Sequence, residues 1–199
     1  MKRQMTEWIT LVGKGITLEP LTHQRNDEFI QVIEEGELHK LWYTIIPAPA
    51  ELSKEIDRCL FLHEEGAMLP FAIVDHRTGK AVGMTTYMGI DPNARRVEIG
   101  STWYASSAQR THINTEAKYL LLKYAFEELD CIAVEFRTHF FNHQSRKAIE
   151  RLGAKLDGIL RNHILSKDGS IRDTCVYSII SCEWPTVKTH LEWQMVKPR

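Results

Sequence analysis

Between Arg96 and His139 the sequence runs from an alternating strand, through a loop of small polar residues, into a periodic helix and out into a second alternating strand. That order constrains the fold more than any other feature. A strand–helix–strand unit of this length closes as a right-handed crossover between parallel strands. Its first strand, residues 96–104, is also the third member of a meander. The other two are residues 71–75 and 81–88, with turns at residues 76–80 and 91–93. The chain must therefore combine antiparallel neighbours with a central parallel pair, in an α/β (mixed α+β) architecture with flanking helices.

The remaining elements follow from periodicity. Ile16, Leu18 and Leu21 mark a strand over 16–21, and Phe29, Ile30 and Ile33 a helix over 25–35. Residues 38–50 read as a short helix and a loop carrying Trp42, Tyr43, Ile45 and Ile46. A helix over 50–65 buries Leu52, Ile56, Leu60 and Leu62. The clearest helix spans 115–129, with Leu120, Leu121, Tyr124, Ala125 and Leu129 on one face. In strand 132–139, Ile132, Val134 and Phe136 alternate with Ala133, Glu135 and Arg137. A helix over 144–152 stops at Gly153, a left-handed cap. A last hairpin, 158–166 and 171–181, turns at Lys167-Asp168-Gly169-Ser170, and a Trp-containing tail from 184 to 199 reads as a helix.

The chain's 199 residues suit a single domain. A net charge of -1 gives no strong field for nucleic acid, and no apolar run approaches the ~20 residues that span a bilayer. Neither a nucleic acid nor a membrane is an expected partner. Cys59, Cys131, Cys175 and Cys182 are scattered, which reads as reduced, buried thiols in a cytoplasmic protein whose N-terminus lacks a signal peptide.

No glycine occurs between Gly100 and Gly153. A P-loop or dinucleotide-binding turn in that unit would lack the left-handed backbone that glycine makes cheap. His139 and His143 are separated by a strand-to-helix turn and have no suitably spaced partner, so no metal site is expected. No GxSxG marks a serine nucleophile. What remains is the junction Trp103-Tyr104-Ala105-Ser106-Ser107-Ala108-Gln109-Arg110-Thr111-His112-Ile113-Asn114-Thr115-Glu116. Free amides at the helix N-terminus, with Arg110 beside them, would make an anion site. The plain alternative is a helix capped by Asn114 or Thr115, with Glu116 as a favourable first-turn acid. Glu116 opposes a bound phosphate unless its side chain points away.

The run Val97-Glu98-Ile99-Gly100-Ser101-Thr102-Trp103-Tyr104, the loop 109–114 and the helix start Thr115-Glu116-Ala117-Lys118 resemble the acetyl-CoA-binding core of the GNAT superfamily of N-acetyltransferases. The branch most similar is the one that acetylates the N-terminus of ribosomal proteins. Gln109 matches the first position of the family's pyrophosphate loop, while His112 and Asn114 replace its small residues. Asn142-His143-Gln144-Ser145 and Arg151-Leu152-Gly153-Ala154 resemble the family's Asn-x-x-Ser…Leu-Gly block. The resemblance follows element order over 16–184 and is specific in residues over 97–154.

The resemblance implies a domain over 16–184, an N-terminal extension over 1–15 and a helical tail over 185–199. It implies acetyl-CoA as co-substrate, its pantetheine arm along Trp103, Tyr104 and Ala105. The pyrophosphate would lie over Gln109, Arg110, Thr111, His112, Ile113, Asn114 and Thr115, with Asn142 and Ser145 also on CoA or substrate. His112 is either a tolerated substitution or a phosphate contact. An amine acceptor attacks the thioester directly, and Glu98 is the candidate base, against a reading as a strand residue paired with Arg95, Arg96 or Arg137. Alternation places Glu98 with Gly100, Thr102 and Tyr104, opposite Val97, Ile99 and Trp103. The family's proton-donating tyrosine corresponds to Ile149, leaving Ser145 as the nearest replacement or as a plain helix residue. Trp42, Tyr43, Phe61, Asn162 and His163 are candidates for the acceptor pocket. A protein N-terminus, a small-molecule amine, or no acceptor at all in a CoA-binding regulatory module remain open, as does a homodimer.

Overall fold

A computed structural model describes residues 5–166 and 169–197. Along the described residues run β1 (Leu11–Val12), β2 (Ile16–Pro20), α1 (Asn26–Glu35), α2 (Leu52–Glu64), β3 (Met68–Asp75), β4 (Lys80–Asp91) and β5 (Arg96–Tyr104). Then come α3 (Ile113–Lys123), β6 (Ala133–His139), α4 (His143–Arg151), β7 (Lys155–Leu165), β8 (Ile171–Ile180) and α5 (Trp184–Val196). The strands form one sheet in the order β1-β2-β3-β4-β5-β6-β8-β7. Its only parallel pair among the described residues is β5 with β6, joined through α3. The expected mixed sheet is present.

Every residue of β3 is buried, as befits a central strand covered on both faces. On α1, Phe29, Val32 and Ile33 fall at helical spacing and are buried, while Asp27 and Glu28 favour the first turn. On α2 the buried set is Leu52, Ile56 and Cys59. Leu60 and Leu62, expected in the core, are only partly covered, because the i, i+4, i+7 stripe passes through Cys59.

The long helix departs from expectation at both ends. It starts at Ile113 rather than Thr115, and after Lys123 it passes into a π-turn, Tyr124–Glu128, closed by Leu129 N–H on the Tyr124 carbonyl at 3.1 Å. Leu121, Leu122, Tyr124, Ala125 and Leu129 are buried, while Leu120, expected on the same face, is half-buried. Strand β6 begins one residue late and leaves Ile132 exposed. In the last hairpin, Ser166 N–H meets the Ser170 carbonyl at 2.8 Å, while the expected turn residues Lys167 and Asp168 lie outside the described residues.

The described residues before Ile16 join the sheet through β1, and His63 Nε2 bonds the Thr6 carbonyl at 2.9 Å. Helix α5 packs on the π-turn, with Trp184 stacked on Phe126 at 5.3 Å. All four thiols are free, but Cys182 is exposed rather than buried, because it lies on the turn after β8.

Candidate active site

Pairing between β5 and β6 covers only Arg96–Ala133, Val97–Val134 and Glu98–Glu135. Beyond Glu98 the two strands part: β5 continues on β4 alone and β6 on β8 alone. At the parting Ser101 adopts φ 44, and β5 gains one residue against β4, since Gly100 faces Thr86 but Trp103 faces Met84. This is a β-bulge. It overturns the simple alternation expected along the strand. Glu98 and Gly100 share their face with Trp103, whose ring meets Phe29 of α1 edge-on at 5.5 Å. Thr102 and Tyr104 turn to the α3 face, where Thr102 Oγ1 lies 2.8 Å from Thr85 Oγ1.

Ala105 N–H bonds back to the Val82 carbonyl at 2.8 Å, so alternation directs the Tyr104 amide away from β4 and into the gap. The loop that follows is fixed at several points. Ser107 N–H meets Glu35 Oε1 at 3.0 Å, and Thr111 Oγ1 donates to the Ala108 carbonyl at 2.6 Å. Arg110 takes the left-handed conformation at φ 59, whereas His112 keeps ordinary helical dihedrals at φ -73, ψ -16. A glycine is not needed at 112.

The helix cap also differs from both expected capping residues. Asn114 and Thr115 lie inside α3, and Thr111 Oγ1 instead accepts from Ile113 N–H at 3.2 Å. Among the described residues, the amides of Asn114 and Thr115 have no protein acceptor. The Glu116 carboxylate points away from them, accepting from Lys14 N–H at 2.5 Å and Gly15 N–H at 3.0 Å. His112 follows it: Nε2 lies 3.8 Å from Glu116 Oε2, and a Cβ on Gly15 would come within 2.7 Å of that nitrogen. The imidazole thus rests on the glycine turn before β2, with the acid that would repel a phosphate.

The two sequence blocks meet. Gln109 Nε2 donates to the Tyr104 carbonyl at 3.4 Å, and its Oε1 accepts from Gln144 Nε2 at 3.3 Å. Asn142 Oδ1 caps α4 by accepting Ser145 N–H at 3.0 Å. The Ser145 hydroxyl is half-buried without a protein partner among the described residues. Ile149 is buried in the core.

On the other side of the fork, register brings together a second group. Glu98 pairs with Glu135, and alternation adds Arg137 and His139; across β8, His139 faces Thr174, which adds Arg172 to the same face. Glu98 is 15% exposed, with Arg137 Nε 3.5 Å from its Oε2. Burial raises its pKa, Glu135 adds to the rise, and Arg137 and Arg172 oppose it. His139 is held below the ordinary range by burial and by Arg172. Its Nδ1 accepts Phe141 N–H at 3.1 Å, so the neutral ring carries its proton on Nε2.

Trp42 meets His139 edge-on at 5.0 Å and Tyr43 at 5.6 Å. His163 reaches the group through Thr174 at 3.1 Å, and Asn162 contributes only a backbone bond to Asp173. Phe61 is exposed on α2 and makes no ring contact with this cluster. Sequence reading missed Arg172, and considered His139 only as a metal ligand. Alternation from Glu135 was available as a signal for His139, but nothing local announces its neighbour on β8.

The site thus combines a mixed sheet opened at its parallel pair, a helix N-terminus at the mouth and a half-buried carboxylate at the fork. Residues 16–155 match the acetyltransferase (GNAT) domain model, and the chain belongs to that family of acyltransferases. A GCN5-related N-acetyltransferase from Brucella melitensis is 32% identical, with a TM-score of 0.83 covering 94% of this chain and 86% of that one. YdaF of Bacillus subtilis, provisionally named a ribosomal N-acetyltransferase, is 34% identical over 106 residues, spanning 53% of this chain and 57% of that relative. RimJ of Mycobacterium smegmatis, solved in complex with CoA-disulfide, shares the fold at a TM-score of 0.78 and 22% identity, covering 98% of this chain and 97% of that one.

Proposed function

We propose that the protein is an acetyl-CoA-dependent N-acetyltransferase that passes the acetyl group to a primary amine by direct attack in a ternary complex. The acceptor in this reading is a protein N-terminus. One observation carries it: the parallel pair parts directly after Glu98, leaving a half-buried carboxylate at the fork. The ribosomal name of YdaF supports the acceptor, and the CoA compound in the RimJ complex supports the donor.

The residues suit a CoA donor. The open amides of Asn114 and Thr115 fit a pyrophosphate, the more so with Glu116 turned away. When bound, acetyl-CoA supplies an activated thioester. Glu98, its proton affinity raised by burial, accepts the proton of the acceptor ammonium through a water. The Tyr104 amide, facing the gap, donates to the carbonyl oxygen as negative charge builds there. We assign the Ser145 hydroxyl as the hydrogen-bond donor to the departing sulfur, and Trp42 with His139 to the acceptor side. Four unpaired thiols suit a reducing compartment, and we place the enzyme in the cytoplasm.

Thermal melting with saturating CoA, followed by acetyl-CoA turnover on peptides, polyamines and amino acids, tests this reading. A raised Tm with turnover on peptide N-termini is expected. An unmoved Tm overturns it, and preference for a small amine overturns the acceptor.

A further inference from the structure

Beneath the gap, on the α3 face of β5, the fold buries a lysine that the chemistry above does not use. Lys118 is 5% exposed. Its Nζ lies 2.9 Å from Thr85 Oγ1 and 2.6 Å from Thr102 Oγ1, with no carboxylate in ion-pair range. The two threonine hydroxyls are 2.8 Å apart, and Thr102 Oγ1 lies 3.1 Å from the Gly100 carbonyl.

One assignment of protons satisfies every contact of this cluster. Thr102 donates to the Gly100 carbonyl, so Thr85 donates to Thr102. The lysine then donates once to each hydroxyl. The two hydroxyl acceptors match the two N–H bonds of a neutral amine. Burial alone pushes the amine down to about 7, with no charged neighbour contributing. The ionisable groups on the surrounding elements are Tyr87 on β4, Tyr104 on β5 and Glu116 on α3. Burial drives both phenols upward, and Glu116 is engaged by the Lys14 and Gly15 amides.

The residue spanned by the Thr102-to-Gly100 bond is Ser101, the non-glycine residue at φ 44 that makes the bulge. A left-handed serine is strained and persists only where its surroundings hold it. We propose that neutral Lys118, acting through Thr85 and Thr102, is a positioning residue that locks the Ser101 bulge and thereby keeps the β5–β6 gap open to acyl-CoA. This inference rests on the reading of the gap as the CoA slot. The competing role is a filler, in which the butyl chain matters and the amine does not.

Lys118→Met keeps the length and removes the donors; Thr102→Val removes the hydroxyl that both the amine and the bulge use. For each variant, amide exchange at Ser101–Trp103 and Kd and KM for acetyl-CoA are measured with the acceptor KM. We expect exchange there to rise at least tenfold and acetyl-CoA Kd and KM to rise about tenfold, the scale of one buried hydrogen bond, with the acceptor KM unmoved. Wild-type Kd should weaken below about pH 7, as the amine gains its third proton, while that of Lys118→Met stays flat. A folded Lys118→Met with unchanged exchange and Kd overturns the proposal. If Lys118→Met fails to fold, Thr102→Val decides by the same two readouts. A wild type that binds no CoA overturns the slot reading and this inference with it, whereas a CoA-binding wild type with indifferent variants overturns only the lock.

Discussion

Replacing Arg137 by Gln tests whether Glu98 acts as a base through a measurable shift rather than a simple loss. The active form is the carboxylate, so the rate should climb as pH rises through the Glu98 pKa. Burial sets that pKa above the ordinary carboxylate, and Arg137, 3.5 Å away, holds it down. Two unit charges at such a distance interact by about 5 kcal/mol at an effective dielectric of 20. Arg137 is 38% exposed and also pairs with Glu135 at 3.0 Å, so screening and sharing reduce the share felt by Glu98 to about 1 kcal/mol. That is close to one pH unit, since one unit is 1.36 kcal/mol. The acid limb of kcat/KM in Arg137→Gln should therefore move up by about 0.5–1 unit, with the plateau nearly unchanged. The assay is a pH profile at saturating acetyl-CoA, run beside Glu98→Gln. That variant should lose about 10²-fold in kcat at neutral pH and recover as more free amine forms. An acid limb that stays put in Arg137→Gln, or a near-normal Glu98→Gln, would refute the assignment.

Glu116→Ala leaves the Lys14 and Gly15 amides without their charged acceptor. It should cost about 3 kcal/mol in urea denaturation and about 6–12 °C in Tm. His112→Gly should leave CoA affinity within about twofold, because the ring rests on Gly15 and the backbone needs no glycine; a tenfold loss by calorimetry would restore a phosphate contact. Lys118 has a depressed folded pKa, so the unfolded chain binds the extra proton between pH 7 and 10.5 and stability rises with pH there. Relative to Lys118→Met, wild-type stability should climb by about 1.4 kcal/mol per pH unit in that window; parallel curves in denaturant titrations would count against a buried amine.

Element order was legible because it rests on periodicity, which the sheet preserves. Residues 96–104 were bounded from sequence as β5 is found, and the crossover through α3 follows from strand–helix–strand order alone. Two kinds of feature escaped. The first is backbone held in the left-handed region by tertiary contacts: Ser101 and Arg110 carry none of the glycine signal that announces such positions. The second is a side chain taken from its local role by a distant partner. Glu116 has the position of a first-turn acid, yet its carboxylate binds amides about a hundred residues earlier in the chain. The residues we assign to CoA were legible because they lie in two short runs. Glu98 was named from sequence, but its grouping with His139 and Arg172 was not legible, because the three become neighbours only through the registers of β5 with β6 and β6 with β8.

The bulge links these failures to function. Had β5 kept strict alternation, Glu98, Gly100 and Thr102 would share one face and Trp103 would lie on the other. The extra residue at Ser101 exchanges those positions while β6 drops away. Trp103 moves onto Phe29, closing the α1 side, and Thr102 moves onto Lys118, closing the α3 side. The Tyr104 amide is left facing the gap. One added residue therefore separates the Glu98 carboxylate, before the bulge, from the Tyr104 backbone facing the gap, after it. Deleting Ser101 would straighten β5 yet leave Thr102 opposite Thr85 and Trp103 opposite Met84, so it removes the left-handed residue while keeping the faces that the bulge sets.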